Sequence, residues 1–160
     1  LSLLAAGDRV QHCNKVILPA LQQGKRVISD RYIYSCFANL RARGFTEDRW
    51  IYEIAGHIVR PDISFFLDVP VDIAVSRVKS RESEKNRYID MDLQYKLRGE
   101  YLSLGKANDG FIINSGGAPE QTFSQIKNKI YGLVPSLSYA KHMDLKYRII
   151  LNSHSKDDIE

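Results

Sequence analysis

Apolar residues recur along this chain with two alternating periods. Val10, Cys13, Ile17 and Leu21 have helical spacing, so residues 1–23 predict a helix that Gly24 stops and Pro19 kinks or locally breaks. Residues 27–29 predict a short buried strand, and residues 34–42 a helix closed by Gly44. Thr46 is the expected N-cap of the next helix, with Glu47 and Asp48 in its first turn. That helix buries Trp50 or Ile51, Ile54 and Ile58, and Pro61 ends it. Residues 62–68 predict a second buried strand, after which Pro70 and Asp72 open a helix through Arg81. Residues 82–86 form a polar gap. A long helix follows over about residues 90–106, with Leu93, Leu97, Tyr101 and Leu104 on one face. Phe111–Asn114 predicts a third strand, Gly116-Gly117 a turn, and Pro119 the first residue of a helix lined by Phe123, Ile126, Ile130 and Leu133. Residues 145–151 offer one more strand, and residues 152–160 are polar and expected to fray.

Strands alternating with helices predict an α/β protein with a parallel sheet covered on both faces. Three clear strands are few for that architecture. At 160 residues the chain is long enough for one domain with a real core, and its 44% hydrophobic and 26% charged content is ordinary for a globular protein. The net charge of +4 suits a phosphorylated substrate or a nucleic acid without separating them. Cys13 and Cys36 lack metal-ligand spacing, which points to a reduced, cytoplasmic setting. No apolar run is long enough to span a membrane. The chain starts at Leu1, inside an expected helix, which suggests further residues upstream.

The chemistry concentrates where the first strand ends, at Ser29-Asp30-Arg31-Tyr32. In an open α/β sheet, ligands sit outside the carboxyl ends of the strands. A carboxylate there can hold a metal and its water shell, and a guanidinium beside it can fork onto phosphate oxygens. That is half of a phosphoryl-transfer site; the plainer alternative is a surface pair capping a turn. His12, His57, His142 and His154 have no carboxylate or cysteine at ligand spacing and are taken as structural or exposed.

Laid out in this order, the chain resembles the C-terminal two-thirds of a thymidylate kinase. The matching segments are Ala6-Gly7-Asp8-Arg9-Val10-Gln11-His12, Leu18-Pro19-Ala20-Leu21, Gly24-Lys25, Ser29-Asp30-Arg31-Tyr32, Arg60-Pro61-Asp62, Leu67-Asp68-Val69-Pro70, Asn86-Arg87-Tyr88 and Gly99-Glu100-Tyr101-Leu102. The resemblance covers residues 1–133 and leaves 134–160 as a C-terminal tail. It implies an α/β, P-loop fold of the nucleoside-monophosphate-kinase type, a three-layer parallel sheet here N-terminally incomplete. The family opens with a strand and a phosphate loop of the form GxxxxGK[ST], and in it that first strand is central in the sheet. No such motif occurs in these 160 residues: Gly24-Lys25 ends a helix and lacks the earlier glycine.

The resemblance further implies transfer of the ATP γ-phosphate to a nucleoside monophosphate, first of all dTMP, with Mg²⁺ as cofactor and a homodimer as the assembly. Asp30 and Arg87 would be catalytic, Asp30 also holding the Mg²⁺ water shell. Arg31 would clamp the acceptor phosphate, Arg9 would read the base, and Ser35, Asn39 and Tyr88 would line the acceptor site. Arg77, Arg81, Lys85 and Arg87 flank the polar gap as a lid, with Arg77 and Arg81 on the ATP side; salt bridges to Glu82 and Glu84 are the alternative for this group. Asp68 reads as a helix cap or structural carboxylate. Three departures touch the acceptor pocket: Ala5 where the family stacks an aromatic on thymine, and Asn39 and Leu40 where it carries an aromatic and a polar reader; in the lid, Asn86 stands where an acid often precedes the arginine. A degenerate kinase-like domain that binds nucleotides or partners without turnover is the alternative from another class. A basic RNA-binding domain ranks last, for want of aromatic-basic interleaving, so neither a membrane nor a nucleic acid is expected as partner.

Overall fold

The computed structural model describes residues 2–45, 47, 49–139 and 148–153, with the backbone alone for 134–139 and 148–153. Thr46, Asp48, His142, residues 145–147 of the expected last strand, and residues 154–160 lie outside the described residues.

The first helix is interrupted. Helix α1 (Ser2–His12) passes into a π-helical turn (Cys13–Ile17), then helix α2 (Leu18–Gln22). Pro19 has no N–H, and its ring crowds the carbonyl four residues back. The wider turn accommodates both problems, and the Leu18 N–H bonds the Cys13 carbonyl five residues earlier. Cys13, Ile17 and Leu21 are buried as their spacing requires. Gly24 then closes the segment at φ +73°, the left-handed conformation glycine adopts without penalty.

Strand β1 (Val27–Asp30) leads into helix α3 (Ile33–Ala42), which Gly44 closes at φ +83°. Helix α4 (Arg49–Ala55) is shorter than its pattern suggests. It ends six residues before Pro61, and Glu47 lies ahead of it rather than in its first turn. Successive turns carry the chain from Ala55 to Ile58, which is still buried. Strand β2 (Ile63–Asp68), helix α5 (Val71–Lys79), a 3₁₀ turn (Glu82–Glu84), helix α6 (Met91–Ala107), strand β3 (Phe111–Asn114) and helix α7 (Pro119–Tyr139) follow the expected order. Asp90 caps α6, its carboxylate accepting from the Leu93 N–H at 3.0 Å. Strand β4 (Arg148–Ser153) realises the extra strand within the described residues.

All pairings are parallel and the strand order is β1-β4-β2-β3. Strand β4 therefore lies inside the sheet, flanked by β1 and β2, while β1 forms one edge. The register aligns Ile28 with Ile149 and Ile63, and Asp30 with Leu151 and Phe65. One face packs on α3 and α6, with Phe66, Leu97, Tyr101 and Leu104 in a core shared with α1, α3 and α4. The other carries Ile63, Phe65 and Ile113 against Ile126, Ile130 and Leu133 of α7. Ile28 shares this second face, yet it is 69% exposed. Among the described residues, helix α7 covers the β2–β3 half of the sheet and nothing covers Ile28, which corrects the expectation of a strand buried on both faces. Phe123 is corrected likewise: it points to solvent at 64% exposure.

Gly110 marks the tightest approach in the core. A Cβ there would overlap Cε2 of Phe66 and lie 3.2 Å from the Gly105 carbonyl oxygen. Phe66 is buried between Tyr34 and the α6–β3 connection, so its ring has no room to yield. Gly110→Ala should therefore overpack the site and cost about 1–3 kcal/mol, read as a lower urea midpoint at unchanged m-value.

Candidate active site

Asp30 emerges at the carboxyl end of β1 and is exposed. The next residue, Arg31, is buried and takes a left-handed backbone conformation at φ +57°. For a side chain of this size that conformation costs roughly 1–2 kcal/mol. Neighbouring groups hold it. The buried Ser29 hydroxyl donates to the Arg31 carbonyl at 3.0 Å, the spacing of a local Ser turn. Tyr32 caps α3 in an extended conformation, and its hydroxyl donates to the Val59 carbonyl at 2.8 Å. The Val59 N–H bonds Cys13 Sγ at 3.3 Å. The π-helical turn, the strand end and the segment before β2 are thus fastened around Arg31. Strain that the surroundings impose in this way is characteristic of functional sites.

Helix α1 packs against α3. That brings the helix of the half-buried Arg9 beside the helix of Ser35 and Asn39. The Ser35 hydroxyl is buried with no hydrogen-bond partner among the described residues. The Asn39 amide donates back to the Ser35 carbonyl at 3.2 Å. Ala5, one turn before Arg9, is half-buried against the core, and Leu40 is buried within it. Leu40 thus serves the core at the position where a polar base reader was expected.

The second group of charges stands at the carboxyl ends of β2 and β3. Asp68 accepts two hydrogen bonds from Arg98 of α6, at 2.7 Å from Nε and 2.9 Å from Nη2. This fork raises the pKa of Arg98 above its ordinary value, chiefly through the hydrogen bond to Asp68. The Asp68 carbonyl also receives the Ser115 N–H and hydroxyl, tying β2 to the chain after β3. Asp68 is therefore structural, as its sequence context suggests. Given the register, it lies about 14 Å from Asp30, three residues along the strand and two strands across. The two carboxylates are too far apart to share one ion.

Arg77 of α5 donates to the carbonyls of Ser115, Gly116 and Gly117, each at 2.9 Å. Its guanidinium fastens α5 to the turn after β3. Tyr95 of α6 donates to Asp72 at 3.2 Å, and the negative charge of Asp72 raises its pKa. Between α5 and α6, Arg81 and Arg87 both face Glu84, each with Nη1 at 3.8 Å from one of its oxygens. Glu84 is buried, Arg87 is three-quarters covered, and Tyr88 is 84% exposed. Residue spacing gave no hint of the Arg98 fork or the Glu84 burial, because both depend on how α5 and α6 pack. Ser29 could have been found from its two-residue offset to Arg31.

Mg²⁺ keeps several waters and binds through one or two carboxylates together with substrate phosphates. One exposed carboxylate at a strand end suits that mode. Among the described residues no cluster of three His, Cys, Asp or Glu forms a complete cage. Nor is any described helix long and apolar enough to cross a membrane.

The strand-end acid and buried arginine, the facing helices, and the arginine-bearing turn all belong to one α/β protein built on a small parallel sheet. The chain belongs to the thymidylate kinase family, whose model matches residues 1–126; that membership implies a P-loop NTPase fold. It is similar to the probable thymidylate kinase of Pyrococcus abyssi, at 38% identity over 137 residues, covering 82% of this chain and 66% of that protein. The probable thymidylate kinase of Thermococcus kodakarensis is 37% identical over 136 residues, with 85% and 64% covered. The thymidylate kinase of Onion yellows phytoplasma is 36% identical over 138 residues, with 81% and 66% covered. The chain thus spans just under two thirds of the length of these relatives.

Proposed function

We propose that the whole protein transfers the γ-phosphate of ATP to a nucleoside monophosphate, with dTMP as the first acceptor, on a three-layer nucleoside-monophosphate-kinase fold. The observation that carries this reading is Arg31, a buried arginine held in a strained conformation beside an exposed carboxylate at a strand end. Phosphoryl transfer asks the protein mainly for positioning and charge neutralisation. Arg31 forks onto the acceptor phosphate, and Asp30 orients it and holds the water shell of Mg²⁺. Asp30 would hold Mg²⁺ through that water shell, and the ion would supply positive charge against the phosphates. Arg9 donates to the base, while Ser35, Asn39 and Tyr88 border the acceptor. Arg87 and Arg81 close over the transferring group, and Arg77 supports the ATP side from its anchored position. The protein acts in the cytoplasm as a homodimer. Exposed Leu3, Leu4 and Tyr52 of α1 and α4, beside a groove of about 510 Å³, support that pairing. The tail from residue 134 is proposed as a segment outside the kinase-like sequence that nevertheless adds strand β4 to the sheet.

A second reading, a kinase-like domain that binds without turnover, is favoured by one observation: β4, beyond the family match, fills the interior of the sheet. A coupled ADP-release assay with ATP, Mg²⁺ and dTMP separates the two. The 160-residue chain should show no turnover, since no phosphate loop occurs in it. The same chain extended by its upstream coding sequence should turn over. It should favour dTMP over dUMP by less than about a hundredfold in kcat/KM, because the two differ by one methyl group, which apolar contact separates only modestly, and Ala5 offers that base no aromatic stack. Turnover near the median enzyme rate of about 10 s⁻¹ by the 160-residue chain would contradict this architecture. No turnover in the extended chain would favour the second reading.

A further inference from the structure

Glu84 lies between two arginines in a way that sets it apart from the other acids of the site. The Glu84 N–H bonds the Arg81 carbonyl at 3.0 Å, and the Arg87 N–H bonds the Glu84 carbonyl at 3.1 Å. These consecutive turns bring the three side chains together at three-residue spacing. Both ion pairs are long, at 3.8 Å, although Glu84 itself is 7% exposed. The contrast is the Asp68–Arg98 fork at 2.7 and 2.9 Å, the length of a charge-assisted hydrogen bond. The Asp68–Arg98 pair is locked; the two Glu84 pairs are electrostatic contacts at longer range. A phosphate group offers several oxygens and more charge than one carboxylate, and guanidinium forks match it well.

We propose that Glu84 is a positioning residue: an internal counter-anion that gathers Arg81 and Arg87 and yields them to a polyphosphate ligand. This rests on the lid reading of those arginines given above. Glu84 never touches the reacting atoms. It holds the guanidiniums together while no anion is bound, and it lowers anion affinity by competing for them.

The test uses the chain as it stands, titrated calorimetrically with inorganic tripolyphosphate at low salt. Glu84→Gln should tighten binding about fivefold, what two part-exposed ion pairs can hold. Glu82→Gln removes the same charge from an exposed neighbour and should do distinctly less. Glu84→Asp keeps the charge but withdraws the carboxylate by one methylene, so it should also tighten binding. It decides the matter if Glu84→Gln fails to fold by circular dichroism. In Arg81→Ala/Arg87→Ala, the gain from either Glu84 change should vanish. Equal tightening by Glu84→Gln and Glu82→Gln, with none in Glu84→Asp, would reduce the effect to bulk charge and overturn the proposal. Binding that Arg87→Ala abolishes but neither Glu84 variant alters would overturn this proposal and leave the lid reading standing. Absence of binding in the wild type and in both Glu84 variants would sink both.

Discussion

A chain ending at residue 147 is expected to lose cooperative unfolding altogether. Strand β4 pairs with four residues of β1 and five of β2, and it is the strand that joins them. Without it β1 has no sheet partner, and β2 keeps only β3. At about one hydrogen bond per paired residue and ~1 kcal/mol net for each, the lost ladder is comparable to the ~5–15 kcal/mol that holds a domain together. The loss falls on β1, which carries Asp30 and positions Arg31, so the site should be lost with the strand. Thermal and urea melts of residues 1–147 beside the full chain measure this. In the full chain, amide hydrogens at Ile149, Ile150 and Leu151 should exchange as slowly as those of β2. A cooperative melt of the shortened chain within a few degrees of the full one would mean that β4 adds nothing to the sheet.

That expectation also marks what the sequence made legible. Residues 145–151 suggest a strand, because Ile149, Ile150 and Leu151 are apolar residues of the kind a buried sheet takes up. Its neighbours were not readable. Hydrophobic pattern fixes which face a strand buries, but not which strand it lies beside, and here the chain returns from α7 to pass between two earlier strands. The bare flank at Ile28 has the same origin: a buried strand and an edge strand carry the same letters, and only the placement of α7 separates them. Features set by short-range chemistry were legible. Gly24 and Gly44 end helices at positive φ, and Pro119 opens α7. Pro19 was legible as a disturbance, though not as a π-helical turn, because its solution depends on Cys13 reaching Val59. The Asp30-Arg31 pair was visible from its place after a strand. The strain at Arg31 was not, since nothing in its letters requires φ +57°. Arg81 and Arg87 were visible as a charged group, while the burial of Glu84 between them follows from how α5 and α6 pack.

Arg31 supplies the most discriminating substitution, because its backbone and its side chain can be tested apart. In the chain extended upstream, Arg31→Ala and Arg31→Gly both remove the guanidinium, and each should lower kcat/KM at least a hundredfold. That corresponds to ~2.7 kcal/mol of transition-state stabilisation, the lower bound for losing a preorganised donor to developing charge. Asp30→Ala should fall by a similar factor while leaving the fold intact, since its carboxylate is exposed and no cavity follows. The two Arg31 variants should differ in stability. Glycine ordinarily destabilises relative to alanine through its entropy in the unfolded chain. At φ +57° the order reverses, because alanine keeps the left-handed strain of roughly 1–2 kcal/mol that glycine does not feel. Arg31→Gly should therefore be more stable than Arg31→Ala by about 1 kcal/mol, a shift of roughly 2–4 °C in Tm for a domain of this size. Equal activity loss with reversed stability would separate the phosphate clamp from the strained turn that presents it. A loss below tenfold in both Arg31 variants, with circular dichroism unchanged, would remove Arg31 from the chemistry and leave its conformation as a feature of the turn alone.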